Sequence, residues 1–123
     1  MAIINAGSRI LAAVLSPGPW LPMTLINTWT NYGAGYSTGQ YRLVPLINEV
    51  EVIGNLSHAS TSGNSVFWTI PAGFIPASNQ IVCATGSPSG AEIGALSTGS
   101  LEVFTMPAAT TLIQFHGWYS MDA

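Results

Sequence analysis

Lysine is absent from this sequence, and arginine occurs only as Arg9 and Arg42. The acids are Glu49, Glu51, Glu92, Glu102 and Asp122, so charged residues make up 6 % of the chain, against ~25 % in a typical soluble domain. No nucleic-acid partner is expected, because phosphate binding needs clustered Lys and Arg. The surface has to stay wet through Ser, Thr, Asn, Gln and Gly, and a free monomer so poor in charge tends to associate. That points to a surface covered by copies of the chain or by a larger assembly. The alternative is a neutral, polar extracellular surface.

Other absences narrow the chemistry. Cys83 is the single cysteine, so no intrachain disulfide forms. It lies in the apolar run QIVCATG, which reads as a buried, inert thiol. The longest uninterrupted apolar run is ILAAVL, residues 10 to 15, far short of the ~20 residues of a membrane helix. SPGPW follows it in place of a small-residue cleavage site, so the N-terminus is expected to be retained. There is no P-loop, no G-x-G-x-x-G and no G-x-S-x-G. His58 and His116 have no acid or cysteine at ligand spacing, so no zinc site is expected. Glu49 and Glu51 alternate on a polar strand face beside a turn, which suits solvated charge better than a glycosidase pair. No enzyme, no catalytic residue, no cofactor and no metal are expected.

What is present is β-patterned. A length of 123 residues suits one domain. Residues 1–19, MAIINAGSRILAAVLSPGP, read as an arm or attachment segment: Ser8 can cap a short helix over RILAAVL, and Pro17 and Pro19 end it. Residues 20–123 read as the β domain. Trp20 to Thr30 gives a strand or two broken at Pro22. YRLVPLI (41–47) and VEVIGNLSH (50–58) flank Asn48-Glu49 as a hairpin, with Pro45 marking an edge strand or bulge. In the second run, Val50, Val52 and Gly54 form the buried face and Glu49, Glu51 and Asn55 the wet one. STSGNS (60–65) reads as a flexible loop. SVFWTI (65–70) is apolar on both faces, which predicts cover on both sides by a second sheet or a subunit. PAGFIPASN (71–79) is a loop, and QIVCATG the next strand. AEIGALS and SLEVFTM meet at Thr98-Gly99, and Pro107 closes the second. TTLIQFHGWYSM (110–121) is the last strand. The expected fold is all-β: a β-sandwich or jelly roll of seven or eight short antiparallel strands with a short N-terminal arm.

In the last strand Ile113, Phe115, Gly117 and Tyr119 alternate with Gln114, His116 and Trp118. The second set is expected to face solvent, a subunit interface or a ligand, and is the candidate site. In the plainer alternative Trp118 only covers a sheet edge.

One stretch, WTNYGAGYSTGQYR (29–42), concentrates rings and glycines. Trp29, Thr30, Asn31, Tyr32, Gly33, Gly35, Tyr36, Gln40, Tyr41 and Arg42, followed by Ile70, Pro71, Ala72, Gly73, Phe74, Ile75 and Pro76, resemble a recurrent β domain of tailed-bacteriophage and prophage virion proteins. INAGSRILAAVL (4–15) is similar to an opening found in such proteins of actinobacterial phages. The chain departs from the pattern at Ile75, where the family usually has Arg, and at Asn48-Glu49, where an Asp-Gly-like turn is usual. The resemblance implies a virion component: a tail-fibre or tail-tip protein first, a capsid decoration protein second. It implies a homotrimer that binds a cell surface, with host glycan as a candidate ligand, or neighbouring virion proteins, to which the arm attaches it. The short apolar runs predict no membrane insertion. The motif residues themselves read as packing and turn residues, with Arg42 paired to Glu49 or Glu51. From the residues alone, a bacterial carbohydrate-binding module is the competing class.

Overall fold

A computed structural model of the chain describes residues 16 to 122. They are all-β: β1 (Leu21–Pro22), β2 (Thr30–Asn31), β3 (Gln40–Val44), β4 (Glu49–Thr69), β5 (Gln80–Ala84), β6 (Glu92–Leu96) and β7 (Ser100–Ser120). All seven join one antiparallel sheet in the order β1-β3-β4-β7-β6-β5, with β2 on the edge of β4. The helix expected after Ser8 lies outside the described residues. What remains of the arm is held where the Gly18 amide donates to Leu43 O at 2.8 Å.

The strands are not all short. β4 and β7 run 21 residues each, through both places where the sequence pattern predicts a break. STSGNS is part of β4, not a free loop, and Pro107 does not end β7. Both strands bend instead. Their register shifts at four points between Ser57 and Trp68, and Gly63, Thr105 and Ala109 take left-handed backbone conformations. Such irregularities turn a strand without ending it. Pro107 falls between Met106 and Thr110, in a part of β7 with no partner in β4, so its missing amide costs no ladder bond.

The bend folds the sheet on itself. Glu49 to Ser57 pairs with Leu112 to Ser120, while Thr61 to Thr69 pairs with Ser100 to Thr110. The two halves meet through their rings: Phe67 lies 5.2 Å from Phe115 and Trp68 4.5 Å from Tyr41, centroid to centroid. One folded sheet therefore supplies the two facing layers that a sandwich builds from two sheets. Its open flanks are tied by other groups. The Gln80 amide brackets Ser120, accepting from its N–H at 2.9 Å and donating to its carbonyl at 2.7 Å. On the opposite side the Ile26 amide donates to Phe67 O at 3.1 Å.

SVFWTI is a correction. Phe67 and Trp68 are consecutive, yet both are buried inside this one chain. The reason is a bulge: Val66 pairs with Glu102 and Trp68 with Leu101, so Phe67 is an extra residue and the alternation skips a beat. Val66 is half-buried and Thr69 exposed, so no second subunit is needed to cover this strand. The β3–β4 link is another. Pro45 opens a 3-10 turn through Ile47, and Asn48 is left-handed at φ 48°. Residues 45 to 48 join the strands in place of an Asn48-Glu49 pair. The β6–β7 turn is as expected, with Leu96 opposite Ser100 and Gly99 at φ 98°.

Gly54 shows how tightly the fold closes. A Cβ there would come within 2.7 Å of Phe115 Cζ and 3.3 Å of Gly39 Cα. Phe115 is buried against Phe67 and cannot swing away. Gly54→Ala is expected to cost ~1–3 kcal/mol of stability through overpacking, read as a lower urea midpoint at unchanged slope.

Candidate functional site

The last half of β7 alternates as its sequence predicts. Ile113, Phe115, Gly117 and Tyr119 are buried. His116 and Trp118 point outward, Trp118 with 46 % of its surface exposed, and Gln114 is half-buried beside them. The three share the outer face of the sheet with Glu51, Ile53 and Asn55 of β4, their neighbours across the strand pair. Gly117 is bare because β5 crosses there: a Cβ would lie 2.9 Å from Val82 Cγ1 and 3.0 Å from Cys83 Cβ. Burial pushes the half-buried Cys83 thiol up, against a weaker opposing hydrogen bond from the His116 backbone.

Glu51 is the electrostatic centre of this face, and it corrects the expectation of a solvated carboxylate. It is buried. Arg42 Nε donates to Oε1 at 2.6 Å and His116 Nε2 meets Oε2 at 2.7 Å. Trp118 stands opposite it in the ladder, its ring 4.9 Å from that of His116. On the other flank the Arg42 guanidinium lies 4.2 Å over the Trp20 ring, a cation–π contact. Desolvation raises the Glu51 carboxyl, but the hydrogen bonds from His116 and Arg42 and their charges outweigh it, so its pKa lies below the ordinary value of 4.5. Trp118 thus stands over an ion-paired row on the half of β7 that β6 does not reach, so it also lies along an open flank of the sheet.

Beside this row the outer face sinks into an open hollow of about 430 Å³. Asn55, Gln114 and His116 line it with Ile53, and Gly86 forms part of its far rim. Gln114 is fixed through its backbone, donating to Ser87 O at 2.9 Å and accepting from Gly86 N at 2.8 Å. Its side-chain amide is left for the hollow.

The ring-rich stretch 29–42 divides between core and surface. Trp29 and Tyr41 are buried as expected. Trp29 Nε1 donates to Ser65 Oγ at 2.9 Å and its ring lies 4.7 Å from His58. Tyr32 and Tyr36, read from sequence as packing residues, are 45 % and 51 % exposed and lie 5.3 Å apart. The GAG between them was the signal: Gly33, Ala34 and Gly35 are all left-handed, and Tyr36 N donates to Gly33 O at 3.0 Å. That tight turn sets the two rings side by side. Both stems are pinned to one residue, since Tyr32 N donates to Asn55 O at 2.8 Å while Asn55 donates to Ser37 O from its backbone amide and from Nδ2.

Among the described residues, no three His, Cys, Asp or Glu side chains stand where they could hold a metal. His58 and His116 serve separate structural contacts. Among the described residues, no helix is long and apolar enough to cross a membrane. Comparison of the chain with protein-family models, curated proteins and solved structures finds no match.

Proposed function

We propose that this chain is a structural protein of a tailed-phage virion, a tail-fibre or tail-tip component contacting the host surface or neighbouring virion proteins. The observation that carries the reading is the ordered pair of sequence blocks, Trp29 to Arg42 and Ile70 to Pro76, with their resemblance to virion β domains. The fold gives these blocks a joint role that supports it. Tyr41 of the first packs 5.0 Å from Phe74 of the second, centroid to centroid, and Tyr119 Oη donates to Phe74 O at 2.8 Å. The low charge of the chain favours a homo-oligomer, with a trimer implied by the resemblance, and the arm is its attachment to the particle. The outer face with Gln114, His116 and Trp118 is the surface turned to partners.

Immunogold electron microscopy of purified virions, with antibody to the β domain, tests this. Gold at the tail end is the expected result. Gold scattered over the head replaces it with capsid decoration, and unlabelled particles remove the virion reading.

A further inference from the structure

We propose that the Tyr32–Tyr36 pair and the adjoining hollow form one binding site for a neutral oligosaccharide. This deepens the surface-contact reading above and rests on it only for the biological setting.

The argument starts from the rings. Large aromatics gain by burial and are normally folded at least partly inward. Here two tyrosines stand in solvent on a turn built from consecutive left-handed residues. The turn is held rigid at its base by the bonds to Asn55, and by Gly39 N donating to Asn31 Oδ1 at 2.8 Å. A pinned aromatic pair pays little entropy on binding, which is what a recognition surface needs.

Asn55 joins the pair to the hollow, because the residue that anchors the tyrosine turn also lines the cavity. The polar side chains that line it are the amides of Asn55 and Gln114 and the imidazole of His116, which is held by Glu51. The Gln114 amide offers a donor and an acceptor at one point, and Asn55 Oδ1 adds an acceptor. Glu51 is sealed by its two partners and does not line the cavity, and no Lys, Arg, Asp or Glu does. The ligand is therefore neutral, rich in hydroxyls, and carries apolar faces that lie against rings. A sugar has C–H faces and ring hydroxyls in that combination. The hollow has the size of a small-molecule site. A protein partner would need a broad patch of ~800 Å² on each side.

The test is a printed panel of neutral hexose and pentose oligosaccharides, with acidic glycans alongside, probed with the full chain and followed by saturation-transfer NMR and calorimetry on the best-bound sugar. Tyr36→Ala and Gln114→Ala are each expected to weaken binding at least tenfold, with the thermal midpoint held. Leu46→Ser, in the exposed β3–β4 turn, should leave binding within twofold. The proposal is overturned if no neutral sugar binds at millimolar concentration, if only acidic glycans bind, or if the Tyr32→Ala/Tyr36→Ala double variant binds as well as the parent. It is equally overturned if the double variant changes only the oligomeric mass in sedimentation. Sugar binding by a chain that immunogold does not find on virions would sink the virion reading and leave this site standing.

Discussion

Trp68→Ala is expected to lower the free energy of unfolding by ~3–5 kcal/mol, the usual cost of emptying a large aromatic site in a core. The indole is 2 % exposed and its ring lies tilted 4.5 Å from that of Tyr41, at the point where the two halves of the folded sheet meet. Its backbone belongs to the bulged segment, so the core cannot close the void by sliding β4 past β7 without breaking the register that follows. Thr69→Ala, one residue along and exposed, should stay within ~0.5 kcal/mol. Equilibrium urea unfolding at one fixed protomer concentration checks both, since self-association would otherwise add its own term. A Trp68→Ala variant no less stable than Thr69→Ala would mean that the halves do not pack as described.

Glu51→Gln is expected to cost ~1.5–3 kcal/mol, the range for hydrogen bonds made to a charged group. The upper range known for fully buried ion pairs does not apply, because the Arg42 and His116 side chains keep 26 % and 48 % of their exposure and water screens them once the carboxylate is gone. The pH dependence gives a second readout. The folded carboxyl titrates below 4.5, so the unfolded chain takes up its proton first as pH falls. The stability that Glu51 contributes is complete above its unfolded value and is lost as pH drops through its folded one. The difference in unfolding free energy between parent and Glu51→Gln should therefore shrink as pH falls through the acid range below 4.5. A difference that stays flat to the acid limit would mean that Glu51 is not held as a charged acceptor.

The arrangement around Glu51 also shows why sequence patterning misread it. Alternation assigned Glu51 to the outer face of β4, and it is on that face. What alternation cannot convey is who stands next to it. Arg42 and Trp118 come from strands nine residues before and much later in the chain, and only pairing in register brings them alongside. The same limit applies to Tyr32 and Tyr36. Their ring content suggested core, while their exposure follows from backbone angles at Gly33, Ala34 and Gly35.

The sequence by itself determined the all-β class, the inward and outward sets on the last strand, the Thr98-Gly99 turn and the poverty of charge, because each depends on local periodicity, composition or a glycine at a turn. The tertiary structure alone decided that four expected short strands are two long bent ones, that Phe67 and Trp68 both point inward, and that Glu51 is buried. Those outcomes depend on strand register and on a bulge, and a shift of one residue reverses every face that follows it.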